Sequence, residues 1–259
     1  MAQKKYLPKN EILKKWIKRG YSGVQIARRY NVSPNIVNTA LRKTGIREKR
    51  NFPITTALAN FMNGLLLGDG CINIHQLYRK SSLKPKSVKY RHSDKNGTYL
   101  LWLKKAFETF GLVLYPVRQT NNTYYLESFF TPELSIFREK WYPDGKKEIP
   151  DDTIFAPITL FNFYIGDGSY TKEKYRNLSI AKYDLCWRRI ISERLHQLGI
   201  GNSINSKCIR VKAKSHDKFF QYICEIPYFI PEAYKYKFSE EYIQYNRVWA
   251  LIEKFKSFA

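Results

Sequence analysis

Apolar and polar positions along this chain change period several times, and each change predicts an element. Residues 56–68 form a dense apolar, helix-like run, after which Ile72 and Ile74 alternate with polar neighbours as a strand begins. Ser87-Val88-Lys89-Tyr90 is strand-like within the otherwise polar and basic stretch 79–97. In 98–110, Leu100, Leu103, Phe107 and Phe110 share one helical face and Gly111 is the stop. Strands are expected around 113–117 and 124–130, followed by a helix over 132–141.

The same order then recurs. A helix near 157–166 leads to strands around Tyr170 and 178–181, a helix over 184–198 stopped by Gly199, strands near 203–205 and 208–212, and a helix at 216–225. Phe110-Gly111-Leu112 and Leu198-Gly199-Ile200 mark corresponding helix ends, so the chain reads as an internal repeat. Over 239–258, Tyr242, Tyr245, Trp249, Ile252 and Phe255 fall at helical spacing and predict a terminal helix packed on the body.

The first fifth of the chain differs. A basic helix over 10–19 closes at Gly20, and Ser22 caps a short helix through Tyr30. After a turn at Asn31-Val32, Ser33 and Pro34 open a third helix, with Ile36, Val37, Ala40 and Leu41 as its apolar stripe and Gly45 as its end. This is a helix-turn-helix pattern, whose second helix would bring Asn35, Asn38, Thr39, Arg42 and Lys43 to the major groove of DNA.

Charge sharpens the picture. The 259 residues carry a formal net charge of +23, which points to a polyanionic partner, nucleic acid first. Residues 1–50 hold 14 Lys and Arg against only Glu11 and Glu48, so they read as a separate module. Cys71, Cys186, Cys208 and Cys224 include no Cys-x-x-Cys pair, and His75, His92, His196 and His216 no metal-spaced pair. Neither a zinc site nor a disulfide framework is indicated, and the cysteines are expected to be reduced and buried. No apolar run approaches the roughly 20 residues of a membrane span, so a soluble intracellular protein is expected, with no membrane partner.

The chemistry lies where the repeat is closest. Met62-Asn63-Gly64-Leu65-Leu66-Leu67-Gly68-Asp69-Gly70 is echoed by Leu160-Phe161-Asn162-Phe163-Tyr164-Ile165-Gly166-Asp167-Gly168. Pro143-Asp144-Gly145, with no apolar helix before it, is by contrast an ordinary turn. Gly64 and Gly68, like Asn162 and Gly166, stand four apart, as small residues must where two helices approach closely. An aspartate at a helix C-terminus sits at the unfavourable end of the macrodipole, and two brought together also repel. A divalent cation relieves both penalties. Hard oxygen ligands with room for water and phosphate suit Mg²⁺ and phosphodiester hydrolysis.

Over residues 54–238 the chain resembles the LAGLIDADG homing endonucleases in their single-chain, two-motif form. Met62, Asn63 and Leu67 depart from the consensus, and Asn162, Phe163, Tyr164 and Ile165 make the second motif looser. The resemblance implies an α+β fold of two pseudo-symmetric αββαββα repeats with saddle-shaped antiparallel sheets, plus the small all-α helix-turn-helix module. The expected division is 1–50 for that module, 51–150 and 151–238 for the repeats, and 239–259 for the C-terminal helix. It further implies a monomeric, metal-dependent endonuclease acting on duplex DNA at a long, non-palindromic target. Asp69 and Asp167 would hold the metal, with the carbonyls of Gly68 and Gly166 as further ligands. Mn²⁺ would substitute for Mg²⁺, and Ca²⁺ would support binding without cleavage. Lys147, in a segment like that closing the family's first repeat, and Lys237, its equivalent, would reach the catalytic pocket. Ser179 and Lys182, after the second motif, are candidates to face DNA. Two alternatives remain: a DNA-binding regulator on a nuclease scaffold, and a maturase whose partner is intron RNA.

Overall fold

The computed structural model describes residues 7–19, 21, 23–43, 53–75, 87–171, 177–180 and 184–256. The expected punctuation at Gly20, Ser22 and Gly45, and Lys182, lie outside the described residues.

Three short helices come first: α1 (Asn10–Lys18), α2 (Gly23–Arg29) and α3 (Pro34–Lys43). Leu13, Ile26, Ala27, Val37 and Leu41 close into a core of their own. Asn31, at φ 50°, turns the chain between α2 and α3, a left-handed conformation that asparagine tolerates better than most residues. The Ser33 hydroxyl accepts from the amide of Asn35 at 3.3 Å as α3 begins.

The body is built of α4 (Thr56–Leu67), β1 (Cys71–Ile74), β2 (Val88–Asp94), α5 (Gly97–Thr109), β3 (Arg118–Thr120), β4 (Thr123–Glu127) and α6 (Ser135–Trp141). The same order returns as α7 (Pro157–Asp167), β5 (Gly168–Thr171), β6 (Asn177–Ile180), α8 (Leu185–Gln197), β7 (Asn202–Ile204), β8 (Ile209–Val211) and α9 (His216–Cys224). The sheets run β1-β2-β4-β3 and β5-β6-β8-β7, antiparallel throughout, so the αββαββα unit occurs twice. Matching caps confirm the correspondence. Asn96 accepts from the amides of Thr98 and Tyr99 to start α5, and Asp184, 88 residues on, accepts from Trp187 to start α8.

In the first sheet Val88, Tyr90, His92 and Leu126 face the core, leaving Lys89, Arg91 and Glu127 on the opposite face. The helix α10 (Glu240–Lys256) packs Tyr242 and Ile243 onto the body. Asn246 locks it there, donating to the carbonyls of Cys224 and Tyr228 and accepting from the amide of Ile230. Among the described residues no helix is long and apolar enough to cross a membrane.

Two expectations need correction. The strand expected at 113–117 is absent: Leu114 makes only a single bridge to Ser128, and β3 begins at Arg118. The apolar residues there read as strand because Leu112 and Leu114 fill the core, while the real strand, Arg-Gln-Thr, is exposed on every residue. All four cysteines are free, but only Cys224 is buried and Cys186 is exposed.

Candidate active site at the crossing of two helices

Helices α4 and α7 are apolar on most faces because, beyond their first turns, each is covered by the other and by its own repeat. Their backbones approach closely enough that Gly64 is required. A β-carbon there would stand 2.4 Å from the carbonyl oxygen of Thr159 and 2.8 Å from Cβ of Asn162. Polar side chains tie the pair: Thr159 Oγ1 donates to the carbonyl of Asn60 at 3.0 Å, and Asn162 Nδ2 to that of Phe61 at 3.1 Å. These bonds use carbonyls inside a low-dielectric interface, where an unmet donor is costly. The departure at Asn63 also has a structural use, since its Oδ1 accepts from Trp141 Nε1 at 3.1 Å and links α4 to α6.

At their C-terminal ends the helices touch through Gly68 and Gly166. A β-carbon on Gly166 would lie 3.5 Å from Gly68 Cα and 3.8 Å from Oδ2 of Asp69; one on Gly68 would lie 3.9 Å from Oδ2 of Asp167. The two carboxylates, 98 residues apart in sequence, therefore flank one crossing point. Asp69 is exposed and Asp167 half-buried.

Each helix end is held by a lysine. Nζ of Lys147 donates to the carbonyls of Gly68 and Gly70, both at 3.0 Å. Nζ of Lys237 donates to those of Ile165 at 2.6 Å and Gly168 at 2.7 Å, and lies 3.4 Å from that of Tyr164. Both ammonium groups thus meet the negative end of a helix dipole. The Tyr164 hydroxyl returns the contact, donating to the carbonyl of Lys237 at 2.9 Å.

Burial sets the electrostatics. It lowers the Lys147 pKa and pushes that of Lys237 down to about 8, opposed in both by the charges of Asp167 and Asp69. The Asp69 carboxyl, although the residue is exposed overall, is shifted up, first by partial desolvation among the groups around the helix crossing and then by the charge of Asp94, with both lysines acting the other way. Each lysine feels both acids, so the four groups form one electrostatic cluster.

Asp94 carries no signal of its own in the sequence. It ends β2, accepts from the Asn96 amide and the Tyr234 hydroxyl, and with Asp69, Tyr234 and Tyr236 lines an open cleft of about 520 Å³. By the matched caps its counterpart in the second repeat is Lys182, which lies outside the described residues.

The donor set fits a hydrated divalent cation. Among the described residues no three His, Cys, Asp or Glu side chains converge as a cage. Two carboxylates and nearby carbonyls, with waters and a substrate phosphate completing the shell, are what Mg²⁺ ordinarily takes.

The helix-turn-helix candidates lie on α3, whose buried residues join the amino-terminal core and not that of the body. Asn35, Thr39 and Lys43 are exposed at successive four-residue steps of α3. Asn38 is half-buried, with Oδ1 only 2.3 Å from where a β-carbon on Gly23 would be. The Arg42 side chain lies outside the description.

Residues 59–219 match the LAGLIDADG DNA endonuclease family. The uncharacterized protein MJ1098 of Methanocaldococcus jannaschii is 32% identical over 157 residues, a match covering 56% of this chain and 58% of that relative, less than two thirds of its length. The homing endonuclease I-WcaI bound to its DNA recognition sequence shares the fold, with a TM-score of 0.56 at 20% identity over 80% of this chain and 94% of that one. I-DmoI in complex with DNA and Ca gives a TM-score of 0.47 at 15% identity, over 65% and 90% of the respective chains.

Proposed function

The chain belongs to the LAGLIDADG DNA endonuclease family, and on that premise we propose that it cuts both strands of duplex DNA at a long, non-palindromic site, using divalent metal held between Asp69 and Asp167. The observation that carries this reading is the contact of Gly68 with Gly166, which sets the two carboxylates on either side of one point.

Asp69 and Asp167, with the carbonyls of Gly68 and Gly166, would hold Mg²⁺; Mn²⁺ is expected to substitute and Ca²⁺ to support binding without cutting. When bound, the cation supplies Lewis-acid charge to the phosphate and to its attacking and leaving oxygens. Lys147 and Lys237 fix the ends of α4 and α7 through their carbonyls. They also offer positive charge where negative charge grows as water adds to phosphorus and the bond to the leaving oxygen breaks. Holding these groups in place before substrate arrives is the larger part of what the protein contributes to such a transfer.

The sheets supply the DNA surface, and two non-identical repeats in one chain suit a target without twofold symmetry. The helix-turn-helix extends the contact, with Asn35, Thr39, Lys43 and, on the same helix, Asn38 and Arg42 directed to the major groove. Lys182 is proposed to face the DNA from the second repeat. The division into 1–50, 51–150, 151–238 and 239–259 follows this assignment of tasks. The test is to incubate the protein and Mg²⁺ with a randomised duplex library and sequence the ends. Recurrent breaks in both strands at one sequence support the reading, and intact duplex throughout overturns it.

A further inference from the structure

The two sheets agree in strand order yet differ in charge at equivalent places. Two residues beyond Asp69, backbone pairing aligns Cys71, Arg91 and Glu127 across β1, β2 and β4. Two residues beyond Asp167, it aligns Ser169, Ser179, Arg210 and Ser203 across β5, β6, β8 and β7. Glu127 of the first sheet therefore corresponds to Arg210 of the second.

Glu127 is 7% exposed although it stands on the sheet face turned away from the core. Three cations cover it: Lys89 Nζ at 2.8 Å from Oε1, Arg118 Nη2 at 2.5 Å from Oε2, and Arg91 Nε at 3.9 Å from Oε1. The cationic side chains remain 23%, 60% and 41% exposed respectively, so the carboxylate forms a floor and the positive groups project from it. Aromatic rings fix two of them further, with the Arg91 guanidinium 4.7 Å from the Tyr125 ring centre and the Lys89 ammonium 5.6 Å from that of Phe130. Exposed Arg210 has no such acid among its cross-strand partners.

A carboxylate on a surface that meets DNA repels phosphate, and partly exposed ion pairs add little to stability. Its physical effect is geometric. A planar guanidinium hydrogen-bonded through one nitrogen to a fixed carboxylate, as Arg118 is to Glu127, presents its other donors over a narrowed range of directions, as reading guanine O6 and N7 in the major groove demands.

Resting on the endonuclease reading, we propose that Glu127 is a specificity-positioning residue, holding Arg91, Arg118 and Lys89 as a rigid reader of the half-site beneath the first sheet. That half of the target is read stringently at guanine, and the half beneath the second sheet, where Arg210 replaces the acid, is read more loosely.

Ends from a randomised duplex library cut in Mg²⁺ are compared for the wild type, Glu127→Gln, Arg118→Gln and the double variant, alongside affinity for random duplex at several salt concentrations. For Glu127→Gln, preference should fall roughly tenfold or more at a contiguous block on one side of the cut and stay unchanged on the other. Affinity for random duplex should rise and its salt dependence steepen, because a negative charge is lost. Arg118→Gln should lose preference within the same block, and the double variant should be no worse there than the more affected single variant. An unchanged profile in both single variants, or an equal loss on both sides with falling affinity for random duplex, overturns the proposal. If Glu127→Gln does not fold, the block seen for Arg118→Gln decides: confinement to one half supports the proposal and its absence defeats it. A wild type that cuts at one sequence while both single variants keep its profile defeats the inference alone, and one that cuts without preference, or not at all, defeats the site-specific endonuclease reading with it.

Discussion

Gly68 and Gly166 meet backbone to backbone at the tip of the α4–α7 crossing, where a β-carbon on Gly166 would stand 3.5 Å from Gly68 Cα. That is ordinary van der Waals distance, whereas the same addition at Gly64 would drive into the Thr159 carbonyl at 2.4 Å. Gly64→Ala should therefore destabilise the fold by about 1–3 kcal/mol, the usual cost of overpacking. Gly166→Ala should unfold near the wild-type midpoint yet cut slowly, because its methyl group enters the space beside the Asp69 carboxylate. Urea unfolding and cleavage rates measured on both variants separate the two effects. Equal loss of stability in both would contradict this division.

Replacing either lysine by methionine removes a pair of hydrogen bonds to a motif-helix end and a positive charge beside the acids. Lys147→Met and Lys237→Met should each slow cleavage by roughly 10²–10³-fold, the scale seen when one preorganised donor is removed from an active site. DNA affinity, spread over many phosphate contacts, should change far less. Single-turnover cleavage at saturating protein, with binding measured in Ca²⁺, checks both halves of this expectation.

Burial, reinforced by the charge of Lys147, pushes the His92 pKa from 6.5 down to about 3. Its Nδ1 shares a hydrogen bond with the Tyr90 hydroxyl at 2.9 Å, which a neutral ring can make in either tautomer. Between these pH values the unfolded chain binds a proton that the folded chain refuses. Stability should fall as pH drops from about 6.5 towards 3, by up to about 1.4 kcal/mol per pH unit from this group. His92→Gln should remove that part of the slope. Unfolding midpoints of wild type and variant over this range provide the comparison, and parallel curves would show that His92 does not titrate in this way.

The concentration of positive charge predicts that DNA affinity falls by orders of magnitude between about 50 and 200 mM salt. Joint replacement of Asn35, Thr39 and Lys43 by alanine should weaken binding while leaving the position of the cut unchanged, since α3 packs in a core separate from the acidic pair. Titration of a labelled target at each salt concentration tests both statements. An affinity indifferent to salt, or to the triple replacement, would remove the helix-turn-helix from the DNA surface.

What could be read from the sequence follows the range of the forces involved. The motif helices were legible because a dense apolar run and a terminal Gly-Asp-Gly are local signals, and the repeat doubled them. The β3–β4 hairpin is legible only in its second strand, expected at 124–130 and found as Thr123–Glu127. Its first strand carries no apolar alternation, and its turn depends on Asn121 at φ 52°. Asp94 is silent in the sequence because it reaches the neighbourhood of Asp69 only once β2 is paired and Tyr234, 140 residues later, closes over it. Lys147 and Lys237 stand out only through the family resemblance, since nothing in their spacing reveals which carbonyls they hold. The charge exchange between Glu127 and Arg210 needs the register of both sheets before it becomes visible.

Asp69 and Asp167 are proposed to serve one metal-dependent centre. Asp69→Asn and Asp167→Asn are each assayed in Mg²⁺ on the duplex that the wild type cuts, with both strands resolved and DNA binding measured in parallel. Either substitution alone should lower cleavage by several orders of magnitude and spare most of the DNA affinity, as a shared centre requires. Variants that cut both strands at the wild-type rate would contradict it.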